Sequence, residues 1–232
     1  QSLIQGLQGI VRVVAFDYEG HLWQKPKPQT LTPTNVVKDF LAVADAVGAD
    51  RFAYYGYSWL AMVGLQLAIR TDRLSALMMG GFPPINGPYK EMLQVTTAAY
   101  NMAGGDPTFE LAEDDEWSTA GLGKDQTQQY MTLYAALQDF DDRAIQAAIT
   151  CPRLCFVGSS DKMQYGENWG NVVVDLAGPI VDGQAELKQL GWDVHVLDGL
   201  DHMQAMQANA VLPIIQSWLA ALDLSKESNW RT

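Results

Sequence analysis

The stretch "RFAYYGYSWLAMVGLQLAIR" (residues 51–70) constrains this chain more than any other. A run of strand-forming aromatics ends at Gly56, and after Tyr57 the polar Ser58 opens an almost wholly apolar helix. A helix that is apolar all round has no solvent face, so it must be buried against a sheet. A strand that turns at once into such a helix is half of a β-α-β unit.

The same alternation repeats along the chain. "VRVVAF" (residues 11–16) reads as a buried strand, and "TPTNVVKDFLAVADAVG" as a helix capped by Thr32, with Pro33 in its first turn and Gly48 past its end. Val36, Val37, Phe40, Leu41, Ala44 and Val47 recur at helical spacing. "LSALMMGG", "RLCFVG" and "DVHVLDG" read as further strands, "QAELKQLG" as a helix, and "AVLPIIQSWLAALDL" as a closing helix. The predicted fold class is α/β, a mostly parallel sheet with helices on both faces. From residue 85 to 150 only helical patterns appear, with Tyr130, Leu133, Tyr134 and Leu137 on one stripe. The expected organisation is a core of residues 1–84 and 151–232, with 85–150 a helical insertion.

A net charge of −12 argues against nucleic-acid and anionic-membrane partners, which need basic patches. No run of 18 apolar residues suggests a membrane span. On one strand Cys151 and Cys155 would stand roughly 13 Å apart, too far for a disulfide. Two thiols without a histidine cluster form no zinc site, and the expected compartment is the reducing cytoplasm. The acidic run "EDDE" (residues 113–116) lacks the spacing of a calcium loop and reads as a solvated loop. No metal is expected.

Ser58 could be a plain helix N-cap. It could also be a nucleophile, because a tight strand-to-helix turn lifts the hydroxyl above the carboxyl edge of the sheet, facing the helix N-terminus. Gly158, Ser159 and Ser160 repeat the Gly-x-Ser pattern without an apolar helix behind it. A nucleophilic serine needs a base and an orienting acid. Of the three histidines, His195 lies inside a strand and His21 precedes Ser58. His202 follows the last strand, and Asp161 follows the strand "RLCFVG", so both fall on the same sheet edge as Ser58. Asp198 and Asp201 are rivals for the acid.

The chain resembles the α/β-hydrolase superfamily over essentially its whole length. "FAYYGYSWLAMVGLQLA" looks like the nucleophile elbow, "CPRLCFVGSSD" like the acid-bearing strand and loop, and "LDGLDHMQAM" like the histidine loop. "VVAFDYEGHL" is similar to the strand ending in Asp-x-x-Gly-His that precedes the elbow in many members. The resemblance implies Ser58 as nucleophile, Asp161 as acid, His202 as base and the Trp59 backbone N–H as an oxyanion donor. It also implies that residues 85–150 are a helical cap, with Tyr57, Tyr130, Tyr134 and Met203, beside Trp117 and Phe140, as candidate pocket residues. The elbow departs from Gly-x-Ser-x-Gly at Leu60, which is expected to be accommodated by wider local packing.

The implied function is a cofactor-free serine hydrolase, carboxylesterase-like, acting on a small, uncharged, apolar acyl compound. The other reading is a non-catalytic relative that binds a small apolar ligand under the cap. Family members also carry an early His-Gly loop that supplies a second oxyanion donor, and no such block precedes Ser58. Its strand would lie between "VRVVAF" and "RFAYYG", with residues 1–9 the end of the helix that follows it. A gap there would leave buried backbone groups unpaired at roughly 1–3 kcal/mol each. The expectation is therefore an upstream segment, or another segment filling the slot.

Overall fold

A computed structural model describes residues 2–104 and 122–222. The strands are β1 (Phe52–Tyr57), β2 (Leu74–Gly80), β3 (Arg153–Gly158), β4 (Lys162–Gln164), β5 (Val173–Asp175) and β6 (Trp192–Leu197). Four of them form a parallel sheet in the order β1-β2-β3-β6, and β4 with β5 makes a small antiparallel pair. The helices are α1 (Ser2–Leu7), α2 (Tyr18–Gln24), α3 (Pro33–Ala46), α4 (Trp59–Ala68), α5 (Tyr89–Met102), α6 (Lys124–Ala135), α7 (Gly178–Gln189), α8 (His202–Ala205) and α9 (Ala208–Ala221).

Strand alternation divides the core in two. Ala76 and Met78 of β2, with Leu154 and Phe156 of β3, meet Leu7 of α1 and Val211, Ile215 and Leu219 of α9. Leu77, Met79, Cys155 and Val157 point the other way, into a larger cluster with α3, α4 and α7. Every residue of α4 from Ala61 to Leu67 is buried, as its apolar sequence requires. Full burial contributes about 1.5–3 kcal/mol for each large aliphatic side chain, which holds this helix on the sheet. At α3 the local signals act together: Thr32 Oγ1 accepts from the Asn35 N–H at 3.4 Å, Pro33 opens the helix, and Gly48 follows it at φ +68°.

The reading of residues 11–16 as a strand is corrected by the structure. They join no sheet, and β1 is an edge strand bonded only to β2. Apolar alternation alone does not make a strand, since the ladder needs a partner at hydrogen-bonding distance. Val11 and Val13 pack on the α1 and α9 side, Phe16 lies against Phe40 and Tyr18, and Val14 and Phe16 stay exposed.

Between β2 and β3 the described residues form no strand. Trp117 and the acidic run lie outside the described residues. Polar bonds tie α6 to the last turn of α2 and the segment after it. Gln129 accepts from the Lys27 N–H at 3.0 Å and donates to Leu22 O, Thr132 donates to Pro28 O at 2.6 Å, and Gln126 to Trp23 O at 2.9 Å. At the base, Asp142 accepts from the N–H groups of Asn86 and Gly87 at 2.9 and 2.8 Å. Gln146 bonds Pro84 O, so both chain crossings are clamped together. No helix among the described residues is long and apolar enough to cross a membrane.

Candidate active site

Ser58 sits where β1 turns into α4, at φ 57° and ψ −134°. The other described non-glycine residues at positive φ are Asn86 and Asn171, of a type that tolerates the left-handed region. Serine does not, and a backbone of this kind costs on the order of 1–3 kcal/mol. The turn is held by the Ser58 N–H donating to Gly80 O at 2.8 Å and the Ala61 N–H donating to Ser58 O at 2.8 Å. The Ser58 side chain makes no cap hydrogen bond, so the capping role that the sequence allowed is not taken. The Trp59 N–H meets no backbone acceptor among the described residues.

Gly56 explains how so tight a turn is built without the usual second glycine. A Cβ on Gly56 would stand 2.3 Å from Leu60 O, so helix and strand touch backbone to backbone. The expected wider packing around Leu60 is absent. The Leu60 side chain is only partly buried, and its carbonyl accepts from the Tyr54 hydroxyl at 2.7 Å.

Asp161 is fully buried in the loop after β3. Its carbonyl accepts from the N–H groups of Leu176 and Ala177, which fixes its backbone. Its Oδ2 lies 2.8 Å from Nδ1 of His202, while Oδ1 is buried without a partner. The ring is therefore the main polar contact of this carboxylate. The rivals are engaged elsewhere: Asp201 caps α8 by accepting from the Gln204 N–H at 2.8 Å, and Asp198 lies 3.5 Å from the Ser159 hydroxyl. His21 and His195 are exposed.

Two loops must meet for that pair to form. The Ser159 N–H donates to Leu197 O at 2.9 Å and the Ser160 N–H to Leu200 O at 3.0 Å, so the acid loop is sewn to the histidine loop. The approach is close enough that a Cβ on Gly158 would sit 2.2 Å from Leu200 O. From the other side, the Tyr57 hydroxyl donates to His202 O at 2.6 Å and its ring lies 5.1 Å from the imidazole. Burial, then Asp161, raises the Tyr57 pKa, so the phenol keeps its proton.

Of the residues expected to line a pocket, Tyr57 braces His202, and Tyr130 packs edge-on to Trp59 at 5.5 Å. Tyr134 is fully buried in the core, while Met203 is exposed beside His202. Phe140 lines a separate groove of about 620 Å³ with Asn86, Tyr89 and Asp142, which none of Ser58, Asp161 and His202 lines.

Sequence reasoning missed Glu19, which lies within the quoted Asp-x-x-Gly-His stretch. It occupies the first turn of α2, partly buried, with the Tyr130 hydroxyl 3.4 Å from its Oε1. Burial raises its pKa, and the Tyr130 hydroxyl and the Trp59 indole N–H partly offset that rise.

No curated protein matches the sequence. Among solved structures, a hydrolase from Pseudomonas aeruginosa is 21% identical, with a TM-score of 0.54, over 84% of this chain and 74% of its own. A thermophilic esterase from Thermogutta terrifontis is 17% identical (TM-score 0.56, 82% and 72% covered). An enol-lactonase from Burkholderia xenovorans is 18% identical (TM-score 0.53, 82% and 73% covered). These likenesses concern the fold. The sequence profile described as "Alpha/beta hydrolase family" matches residues 2–213, and the chain belongs to that family.

Proposed function

We propose that the protein is a serine hydrolase cleaving an ester or similar acyl compound, with Ser58 as nucleophile, His202 as general base and Asp161 as the acid that orients it. The observation that carries the reading is the pairing of a strained, non-capping serine at a helix N-terminus with a buried carboxylate–imidazole pair on the same sheet edge. Ser58 Oγ attacks the carbonyl carbon as His202 takes its proton. The Trp59 N–H helps to hold the oxyanion. Collapse of the tetrahedral intermediate expels the leaving group, which receives the proton from His202, and leaves an acyl-serine. Water, deprotonated by His202, then attacks that ester and releases the acid and free Ser58. Asp161 accepts the Nδ1–H, holding the ring's other nitrogen toward the serine and stabilising the imidazolium that forms.

Residues 85–150 act in this reading as a cap, and Trp59 with Tyr130 gives the acyl pocket an apolar wall. The fold neighbours include an esterase and an enol-lactonase, which is consistent with a carboxylesterase-like chemistry. A serine-reactive phosphonate should add to Ser58, located by mass, and Ser58→Ala should remove both the adduct and the turnover of p-nitrophenyl esters. Turnover by Ser58→Ala at the wild-type rate would place the nucleophile elsewhere. Neither turnover nor adduct in the wild type would favour the non-catalytic, ligand-binding reading.

A further inference from the structure

The carboxylate of Glu19 is unusual for its surroundings. An acid in the first turn of a helix is ordinarily a solvated complement to the helix dipole. Here the residue is only partly exposed, and the Tyr130 hydroxyl donates to its Oε1 at 3.4 Å. An ionised carboxylate offers about four acceptor positions, so this one neutral donor leaves the others open to water or to a ligand. Among the described residues no lysine, arginine or histidine pairs with it. Asp17 caps α2 by accepting from the Gly20 N–H at 2.8 Å, and its like charge further disfavours ionised Glu19.

The walls around this carboxylate are aromatic. Trp59 stands 5.5 Å from Tyr130 and 6.1 Å from Tyr18, centroid to centroid. Aromatic faces beside a carboxylate suit a cation, which gains from the ring quadrupoles and from the charge together. The chain's net charge of −12 adds a general field of the same sign. Trp59 directly follows Ser58, so a group held here is presented beside the nucleophile.

We infer that Glu19, Trp59 and Tyr130 form a subsite for a protonated amine on the substrate, so that the acyl compound cleaved at Ser58 carries a cationic substituent. This rests on the hydrolase reading above and revises the wholly uncharged substrate expected from sequence. Glu19 accepts the ammonium hydrogen bonds and the two rings flank the cation. A competing account makes Glu19 only a pin between α2 and the cap helix α6, through Tyr130.

The test compares p-nitrophenyl 6-aminohexanoate with p-nitrophenyl heptanoate, which differ by an ammonium in place of a methyl group. The wild type should prefer the cationic ester in kcat/KM by roughly tenfold or more, and Glu19→Gln should lower that ratio at least tenfold, chiefly through KM. A mere pin would change both esters in parallel and leave the ratio unaltered. A wild type that prefers the heptanoate, or a Glu19→Gln ratio equal to the wild type's, overturns the inference while leaving the Ser58 chemistry standing. Calorimetric binding of hexylammonium against hexanol decides the matter without turnover. Tighter binding of the cation, lost in Glu19→Gln, supports the subsite even if no ester is cleaved and no phosphonate adduct forms, an outcome that would sink the hydrolase reading alone. Equal binding of the two overturns the subsite. Should Glu19→Gln fail to fold, the wild type's own preference in both assays decides for or against the subsite.

Discussion

Replacing Tyr57 by phenylalanine removes one oxygen atom and isolates what that oxygen does. In the structure it donates to the carbonyl of His202 at 2.6 Å. That carbonyl sits at the start of α8, a helix ending at Ala205. His202 itself is buried, so in Tyr57→Phe little water can replace the lost hydroxyl. Removing one partner of a buried hydrogen bond costs about 1–3 kcal/mol. For a domain of this size each kcal/mol corresponds to roughly 2–4 °C in Tm. Calorimetry should therefore show a fall of about 2–12 °C. The aromatic ring remains, so its packing on the imidazole persists and the Asp161–His202 contact survives. The predicted kinetic result is a several-fold loss in kcat with KM nearly unchanged, because what loosens is the aim of the base and not the binding of substrate. Tyr57→Ala should be far worse in both respects, since it also opens a cavity beside the ring. A Tyr57→Phe protein with wild-type Tm and wild-type kcat would refute the bracing argument, and a loss confined to KM would return Tyr57 to the role of a pocket residue.

Gly158→Ala should lower stability by about 1–3 kcal/mol in urea unfolding, because the new methyl would meet backbone, Leu200 O at 2.2 Å and Asp201 O at 3.0 Å. It should also reduce kcat by parting the acid and histidine loops, and an unchanged kcat would show that the loops are set independently. At the cap base, burial raises the pKa of Asp142 above its ordinary 3.8 despite its two backbone N–H bonds. The folded state therefore binds the proton more readily than the unfolded chain. This group's contribution to stability is least above the raised pKa, grows as pH falls through it, and levels off below 3.8. Measured against Asp142→Asn, which does not titrate, the wild type should gain relative stability between pH 7 and pH 4; a relative loss over that range would reverse the assignment.

What the sequence disclosed, and what it hid, follows from the range of the interactions concerned. The Thr32 cap, the turn at Ser58 and the acid and histidine loops are local events, written in residues adjacent in the chain, and each was legible. The strand reading of residues 11–16 failed because strand formation is not local: the same alternation lies unpaired when no ladder partner is beside it. Gln129 shows a different blindness. It is fully buried, one position before the apolar stripe that begins at Tyr130, and its polarity marks it as a surface residue. Its partners are the backbone groups of Lys27 and Leu22, more than 100 residues away, and backbone leaves no signature in side-chain pattern. The β4–β5 pair escaped for want of length, since three residues are too few to display alternation.

The same distinction separates the parts of the candidate site. Ser58, Asp161 and His202 announce themselves because each follows the end of a strand, and a strand end in a parallel sheet is a place as well as a residue type. Tyr57 and Glu19 sit next to motif positions, yet their work is done across the fold, on a carbonyl 145 residues away and on a hydroxyl 111 residues away. Residue type alone assigned the first to a pocket and gave the second no part. Geometry separates the two cases by the atom that each side chain engages. Tyr57 spends its one hydroxyl proton on the protein's own backbone, which leaves it no donor to offer a substrate. Among the described residues Glu19 accepts from the Tyr130 hydroxyl and pairs with no lysine, arginine or histidine. Its remaining acceptor positions are open to water or a ligand, so Glu19, and not Tyr57, is the residue through which the inferred subsite would choose what is cleaved.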